Sequence, residues 1–363
     1  MNIIVPLMHT VSSAFTTNAI LYLFHKALFT ATTFLLYAVM SPSDFATLAT
    51  IQSIIFLMVL WLDCGLRKSI PRYAPLFSNV RHRLIMPLIT AQLSMLILAL
   101  PFFLYLLSYT TSHIPLLLLA LGIYLAEGTT NILRSLYHAY FYHRFFNHYA
   151  ALCILIDSAA TIFIGLWLPS SSLIAAVLLS KFLTTSLLAY ITITHWHTQA
   201  LTNNIPLATP SSFNESHERI QFLKHSAYMW GTTILTSISE RNFLLPFIMQ
   251  VAGIVTGNSF KVAHDAALFF YRGIIKTIGS TDTALLAHIE TYAMHEQRVH
   301  QHETLTRQSL QILSTQIARL AFPFLGAIIL IVPIGYWFYH DQIVFHAFLI
   351  MAIGYILETI VIP

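Results

Sequence analysis

The stretch IPLLLLALGIYLAEGTTNILRSLY, residues Ile114–Tyr137, starts as an unbroken apolar run and then admits Glu127, Asn131 and Arg134, with His138 just past its end. Steps of four, three and four residues put these polar groups on one face of a helix. A charge inside a membrane-crossing helix costs several kcal/mol unless it faces protein or a water-filled cavity. The segment therefore reads as a transmembrane helix with one polar side turned inward.

The whole chain has the same character. Hydrophobic residues make up 57% of its 363 positions and charged residues 9%, with a mean hydropathy of +0.72. A soluble domain carries about a quarter charged residues, so most of this surface faces lipid. Each crossing needs about 20 apolar residues, and the chain is best counted in helices. Ten hydrophobic segments can be drawn: Thr17–Met40, Phe45–Leu62, Leu84–Tyr109, Ile114–Tyr137, Tyr149–Leu168, Ser172–Thr194, Phe222–Val251, Val255–Ile278, Leu313–Phe338 and Ile343–Ile362. The fold class is an all-α polytopic membrane protein.

Basic residues orient it. Ser41–Asp44, Thr110–His113, Pro169–Ser171, Ala252–Ile254 and Tyr339–Gln342 contain no Lys or Arg. The alternate connections hold Arg67, Lys68, Arg72, Arg81, Arg83, Arg144, Arg219, Lys224, Arg298 and Arg307. The positive-inside rule then predicts a cytoplasmic (inner) membrane protein with both termini in the cytoplasm and very short outer loops. Polar, proline-containing His195–Gln221 reads as a cytoplasmic linker. It divides a six-helix bundle, residues 1–195, from residues 222–363, with 196–221 between them. The second part holds four predicted helices, and we expect that bundle to be incomplete. Gly279–Ile312 is expected to form a cytoplasmic amphipathic helix. Its His295, His300 and His302 lack the i, i+4 spacing of a helical metal site, so no metal site is predicted.

Other helices carry polar stripes too. Tyr22, Lys26, Thr30, Thr33 and Tyr37 share a face of the first; Ser226, Thr233, Ser237 and Glu240, with Arg241 beside them, mark the seventh; Lys261, Asp265, Arg272 and Lys276 mark the eighth. Arg134, His138 and Lys276 lie close enough to inner helix ends to snorkel. Asp157 and Lys181 lie roughly 15–18 Å below the outer turn at Pro169, counted at 1.5 Å per residue. They form either a structural ion pair or a cation-coupling element. Lys26, Arg241 and Arg272 lie roughly 15–25 Å from their outer turns, and a cavity lined by them would suit phosphate or pyrophosphate. Glu127, Glu240, Lys261 and Asp265 are the further candidates for coupling or ion pairing.

No DxD, HExxH, GxSxG or Walker A motif occurs, and the short outer loops leave no room for the large external loop of a saccharide polymerase or ligase. No catalytic residue and no cofactor is predicted, with Na⁺ or H⁺ coupling left open. Cys64 and Cys153 read as packing residues.

Three parts of the sequence carry a family resemblance. AVMSPSDFATLA, Ala38–Ala49, resembles the helix–turn–helix element of polysaccharide flippases in the multidrug/oligosaccharidyl-lipid/polysaccharide (MOP) exporter superfamily, with Ala46 and Thr47 in place of the usual Gly-Leu. DCGLRKSIPRY, Asp63–Tyr73, is similar to the same family's inner loop. Glu240–Leu245, Gly253, Gly257, Ala263 and Tyr271-Arg272 resemble its seventh and eighth helices. The resemblance implies two repeated bundles around a V-shaped central cavity, alternating access by rocking, and a lipid-linked, pyrophosphate-bearing oligosaccharide as cargo. It implies cavity cations on helices one, two, seven and eight, matching Lys26, Arg241 and Arg272; Lys276 is a further candidate cavity cation. Expected partners are the lipid-linked saccharide, membrane lipids and polysaccharide biosynthesis proteins, with no nucleic acid. The competing functions are a cation-coupled multidrug or metabolite exporter of the same superfamily, a membrane glycosyltransferase, and a scaffold without transport.

Overall fold

The structure, a computed structural model, describes residues 24, 27–73, 86–108, 110–111, 113–139, 142–201, 215–238, 240–267, 346, 348, 350 and 351. Every regular element among the described residues is a helix. They are α1 (Ala27–Val39), α2 (Pro42–Trp61), α3 (Leu66–Tyr73), α4 (Met86–Leu98), α5 (Leu100–Ser108), α6 (Ile114–Ala139), α7 (His143–Trp167), α8 (Ser170–Leu201), α9 (Glu215–Ile238), α10 (Arg241–Ala252) and α11 (254–267). Four stretches within α2, α6, α7 and α8 are long and apolar enough to cross a membrane. The last two predicted helices and the predicted amphipathic helix with its histidines lie outside the described residues, apart from isolated positions near the chain's end.

Local chemistry sets the boundaries. At the turn between α1 and α2, the Ser41 hydroxyl accepts the Asp44 N–H at 3.1 Å and donates to the Asp44 carboxylate at 2.7 Å. Pro42 sits at the first helical position, where its missing N–H costs nothing. Helix α2 thus starts three residues before the predicted Phe45.

The third predicted helix is divided into α4 and α5 around Ala99. Pro101 explains this, since it cannot donate back and its ring crowds the carbonyl of Ile97. The seventh is also two helices, not one Phe222–Val251 span. Glu240 is extended (φ −77°, ψ 149°) and starts α10 afresh. Just before it, the Thr236 and Ser237 hydroxyls bond back to carbonyls of their own helix, at 2.8 Å to Thr232 and 2.7 Å to Ile234. Such back-bonding competes with the main-chain ladder and weakens a helix end.

The linker is shorter than expected. Helix α8 runs on to Leu201 and α9 begins at Glu215, so residues 196–201 and 215–221 are helical and the rest of 196–221 lies outside the described residues. Aromatic packing carries the extension. Trp196 is buried against Tyr137, whose hydroxyl donates to the Thr192 carbonyl at 2.9 Å and meets His195 Nδ1 at 2.8 Å.

Helices α6, α7 and α8 pack on one another, and α2 runs from α6 and α8 across to α9 and α10. The main core joins Phe45, Ile51 and Met58 of α2, Phe103 of α5, Tyr124 of α6, Val177 of α8 and Val262 and Ala263 of α11. Phe103 stacks on Tyr124 at 4.4 Å, and the Tyr124 hydroxyl is satisfied by the Leu96 carbonyl at 3.0 Å. Leu152, Leu155, Ile156, Phe163 and Leu166 of α7 point outward. An exposed apolar face is what lipid contact requires.

Candidate ionic sites at mid-membrane

Two groups of charged side chains pair among the described residues. The first is inside the N-terminal bundle. Counted from the turns at His113 and Pro169, Glu127 lies about 20 Å and Asp157 and Lys181 about 15–18 Å down their helices. Lys181 of α8 pairs with Glu127 of α6, Nζ to Oε1 at 3.2 Å. Asp157 of α7 accepts the Ser180 hydroxyl at 2.7 Å. The structure therefore gives the lysine's ion pair to Glu127 and seats Asp157 on the residue next to it. Depth from the turns brings all three to about one level and does not by itself choose between Glu127 and Asp157 as the lysine's partner.

The second group lies where the two parts of the chain meet. Helix α11 carries Lys261 and Asp265 one turn apart, with Nζ 3.1 Å from Oδ2. Arg241, at the first turn of α10, pairs with the other oxygen of the same carboxylate. The Arg241 guanidinium also donates to Asn242 Oδ1 at 2.9 Å. The Asp265 side chain is 2% exposed and that of Lys261 5%. Aromatic rings shield the lysine, whose Nζ lies 5.8 Å from the Phe29 ring centre on α1 and 5.5 Å from that of Phe45 on α2. Ring faces favour a cation and admit no water. Of the charges on the eighth predicted helix, Lys261 and Asp265 thus form an internal i, i+4 ion pair.

The polar stripes point into this seam. On α1, Thr30 donates to the Asp265 carbonyl at 3.4 Å and the Tyr37 hydroxyl lies 3.5 Å from that of Ser259. On α9, Ser237 receives the Trp61 indole N–H at 2.7 Å, while Trp230 donates its own to the Trp61 carbonyl at 2.6 Å. Asn258, 1% exposed and not singled out by sequence reasoning, donates to the Pro42 carbonyl at 2.8 Å. Beyond the far end of α2, Ser69 of α3 meets His225 of α9 at 2.9 Å. Glu240 borders Arg241 at the start of α10. Lys26, Arg272 and Lys276 lie outside the described residues.

The turn between α2 and α3 follows the Asp63-Cys64-Gly65 motif. Asp63 accepts the Arg67 N–H on both carboxylate oxygens at 3.2 Å. Burial pushes its carboxyl up from the ordinary value, against the opposing pull of the Arg67 guanidinium. Cys64 and Gly65 both have positive φ, 52° and 73°. Among the described residues the cysteines are free, and no His, Cys, Asp and Glu side chains gather as a metal site would require.

No protein-family model and no curated protein matches the sequence. Solved structures do. A MATE in the straight conformation aligns with 94% of this chain and 77% of its own, at 16% identity and a TM-score of 0.61. An outward-facing multidrug resistance MATE family transporter of the MOP superfamily aligns over the same shares, at 16% identity and a TM-score of 0.58. The fold is that of the MATE transporters. It agrees with the superfamily resemblance read from the sequence, and with the expected all-α, multi-pass architecture.

Proposed function

We propose that this protein is a transporter of the cytoplasmic membrane, and that its cargo is a lipid-linked oligosaccharide carrying a pyrophosphate, moved from the cytoplasmic to the outer leaflet by alternating access. The observation that carries the reading is the pair of cations, Arg241 and Lys261, held on one buried carboxylate between the two parts of the chain. Cations are costly there, and a fold that only needed packing would use apolar residues of similar size. Guanidinium and ammonium groups converging on one point are what a diphosphate requires. Lys26, Arg272 and Lys276 are assigned to the same cargo path by their sequence positions. No step of such transport calls for catalysis by the protein.

Arg241→Ala removes one charge-assisted contact worth about 1.5–3 kcal/mol, and should weaken cargo binding roughly ten- to a hundredfold. Lys26→Ala and Arg272→Ala should likewise reduce export, with surface levels unchanged. Arg298→Ala serves as the control. Export is read as appearance of labelled lipid-linked saccharide in the outer leaflet of proteoliposomes.

A second reading has its own observation. Two carboxylates, Glu127 and Asp157, flank Lys181 at the same depth inside the N-terminal bundle, an arrangement suited to a coupling cation in a drug or metabolite exporter. Loss of transport in Glu127→Gln or Lys181→Met, with transport intact in the three cation variants, would replace the first reading by this one.

A further inference from the structure

The seam cluster is occupied from within. Arg241 comes from α10 and Lys261 from α11, yet both end on the two oxygens of a single buried carboxylate. Helix α1 lies over this point, with Thr30 on the Asp265 carbonyl and the Phe29 ring beside the Lys261 ammonium. An incoming phosphate would seek the same two cations with the same kind of oxygen. It cannot share them with Asp265, because two anions on one buried pair of donors repel.

We infer that the Asp265 carboxylate is an internal stand-in for the cargo's phosphate, neutralising Arg241 and Lys261 until cargo displaces it. The inference rests on the cationic-cargo reading and adds the device that regulates it. Displacement does two things. It transfers both cations to the ligand, and it frees the stretch of α11 on which α1 is seated, so that ligand binding and opening of the α1–α11 seam become one equilibrium. A ligand shifts such an equilibrium only through its differential affinity for the two states, and here the competing carboxylate supplies the difference. Without cargo the carboxylate closes the seam, so two buried cations are not exposed to an empty path. The released carboxylate then faces the water admitted by the open seam.

The test uses inorganic pyrophosphate as probe and purified full-length protein in lipid nanodiscs, with affinity measured by titration calorimetry. Asp265→Asn should bind the probe at least about tenfold more tightly than the parent, the fold-change expected for removing a charged competitor. Lys261→Met in that background should reverse the gain. If Asp265→Asn binds no more tightly while Arg241→Ala still weakens the parent, the stand-in fails and the cationic cargo site survives. Affinity indifferent to Arg241→Ala removes both. A readout that leaves the cluster intact guards against misfolding of Asp265→Asn. Thr30→Cys, in a chain that also carries Cys64→Ser and Cys153→Ser, should react faster with a maleimide once pyrophosphate is added. An unchanged rate at saturating probe overturns the inference.

Discussion

At the scale of single residues, Gly65 shows how a short motif becomes a physical requirement. Its φ of 73° lies in the left-handed region, which costs a residue with a side chain about 1–2 kcal/mol. Space is the second constraint. A Cβ at this position would run into the Ser226 carbonyl oxygen and would lie 2.8 Å from the Trp230 backbone nitrogen, so the obstacle is helix α9 itself. Gly65→Ala should therefore lower the melting temperature in detergent and reduce the folded yield. A melting curve identical to the parent's would mean that α3 and α9 do not approach this closely. The motif was legible in sequence as a family feature, but not its reason, because the crowding atoms come from a helix more than 150 residues away. Asp63 behaves the same way: its place beside a basic turn was visible, whereas its burial and its hydrogen bond with Gln92 of α4 were not.

At the scale of elements, apolar run lengths located most helices, and errors arose where a side chain acts on the main chain. Pro101 divides one predicted helix. Hydroxyls on the last turn of α9 and the extended Glu240 divide another. Neither interrupts hydropathy, so neither could be found by a count of apolar residues. The end of α8 was misjudged for the opposite reason. His195 and Trp196 look polar or interfacial in a list, yet Tyr137 and Phe145 give them a packed aromatic setting. The seam between α6 and α8 offers a direct test of pairing. Lys181→Met leaves Glu127 without its cation, and Glu127→Gln leaves Lys181 without this anion. Each single change should destabilise the bundle. The double change should recover part of the loss, because one unpartnered charge on a membrane-spanning helix costs more than none, even with the Lys181 and Glu127 side chains 37% and 33% exposed. A double-mutant cycle on thermal melting measures the coupling. Additive losses would show that the 3.2 Å pair contributes nothing as a pair, and would turn attention to Asp157 and Ser180 as the partners that matter.

For the whole molecule, the stripes predicted that polar faces meet inside the membrane, and the seam between the two parts is where several of them meet. What sequence could not give was which contacts hold the seam closed, since a periodicity says where a face lies and not what lies opposite. The structure joins the two parts at both ends of α2. Towards the turns expected to lie outside, Asn258 holds the Pro42 carbonyl and Tyr37 approaches Ser259; towards the ends expected to lie inside, Ser69 meets His225 and Gly65 lies against α9. A transporter that works by rocking two bundles must separate one of these ends in each half of its cycle. The polar contacts there are single hydrogen bonds of about 0.5–1.5 kcal/mol net, which must open together with the apolar packing of α2 and α3 on α9, α10 and α11. Trapping either end should therefore stop transport. In a chain carrying Cys64→Ser and Cys153→Ser, Ser69→Cys with His225→Cys would be joined by a short cleavable bis-maleimide at the inner end, and Tyr37→Cys with Ser259→Cys at the outer end. Each cross-link should abolish export in proteoliposomes, and cleaving the linker should restore it, while the uncross-linked variants stay active. The two traps should also differ in their accessibility. The inner trap should leave Thr30→Cys reactive from outside, and the outer trap should protect it. If both cross-linked proteins export at the parent's rate, the seam along α2 is a fixed structural joint, and any movement that carries cargo must run between other helices.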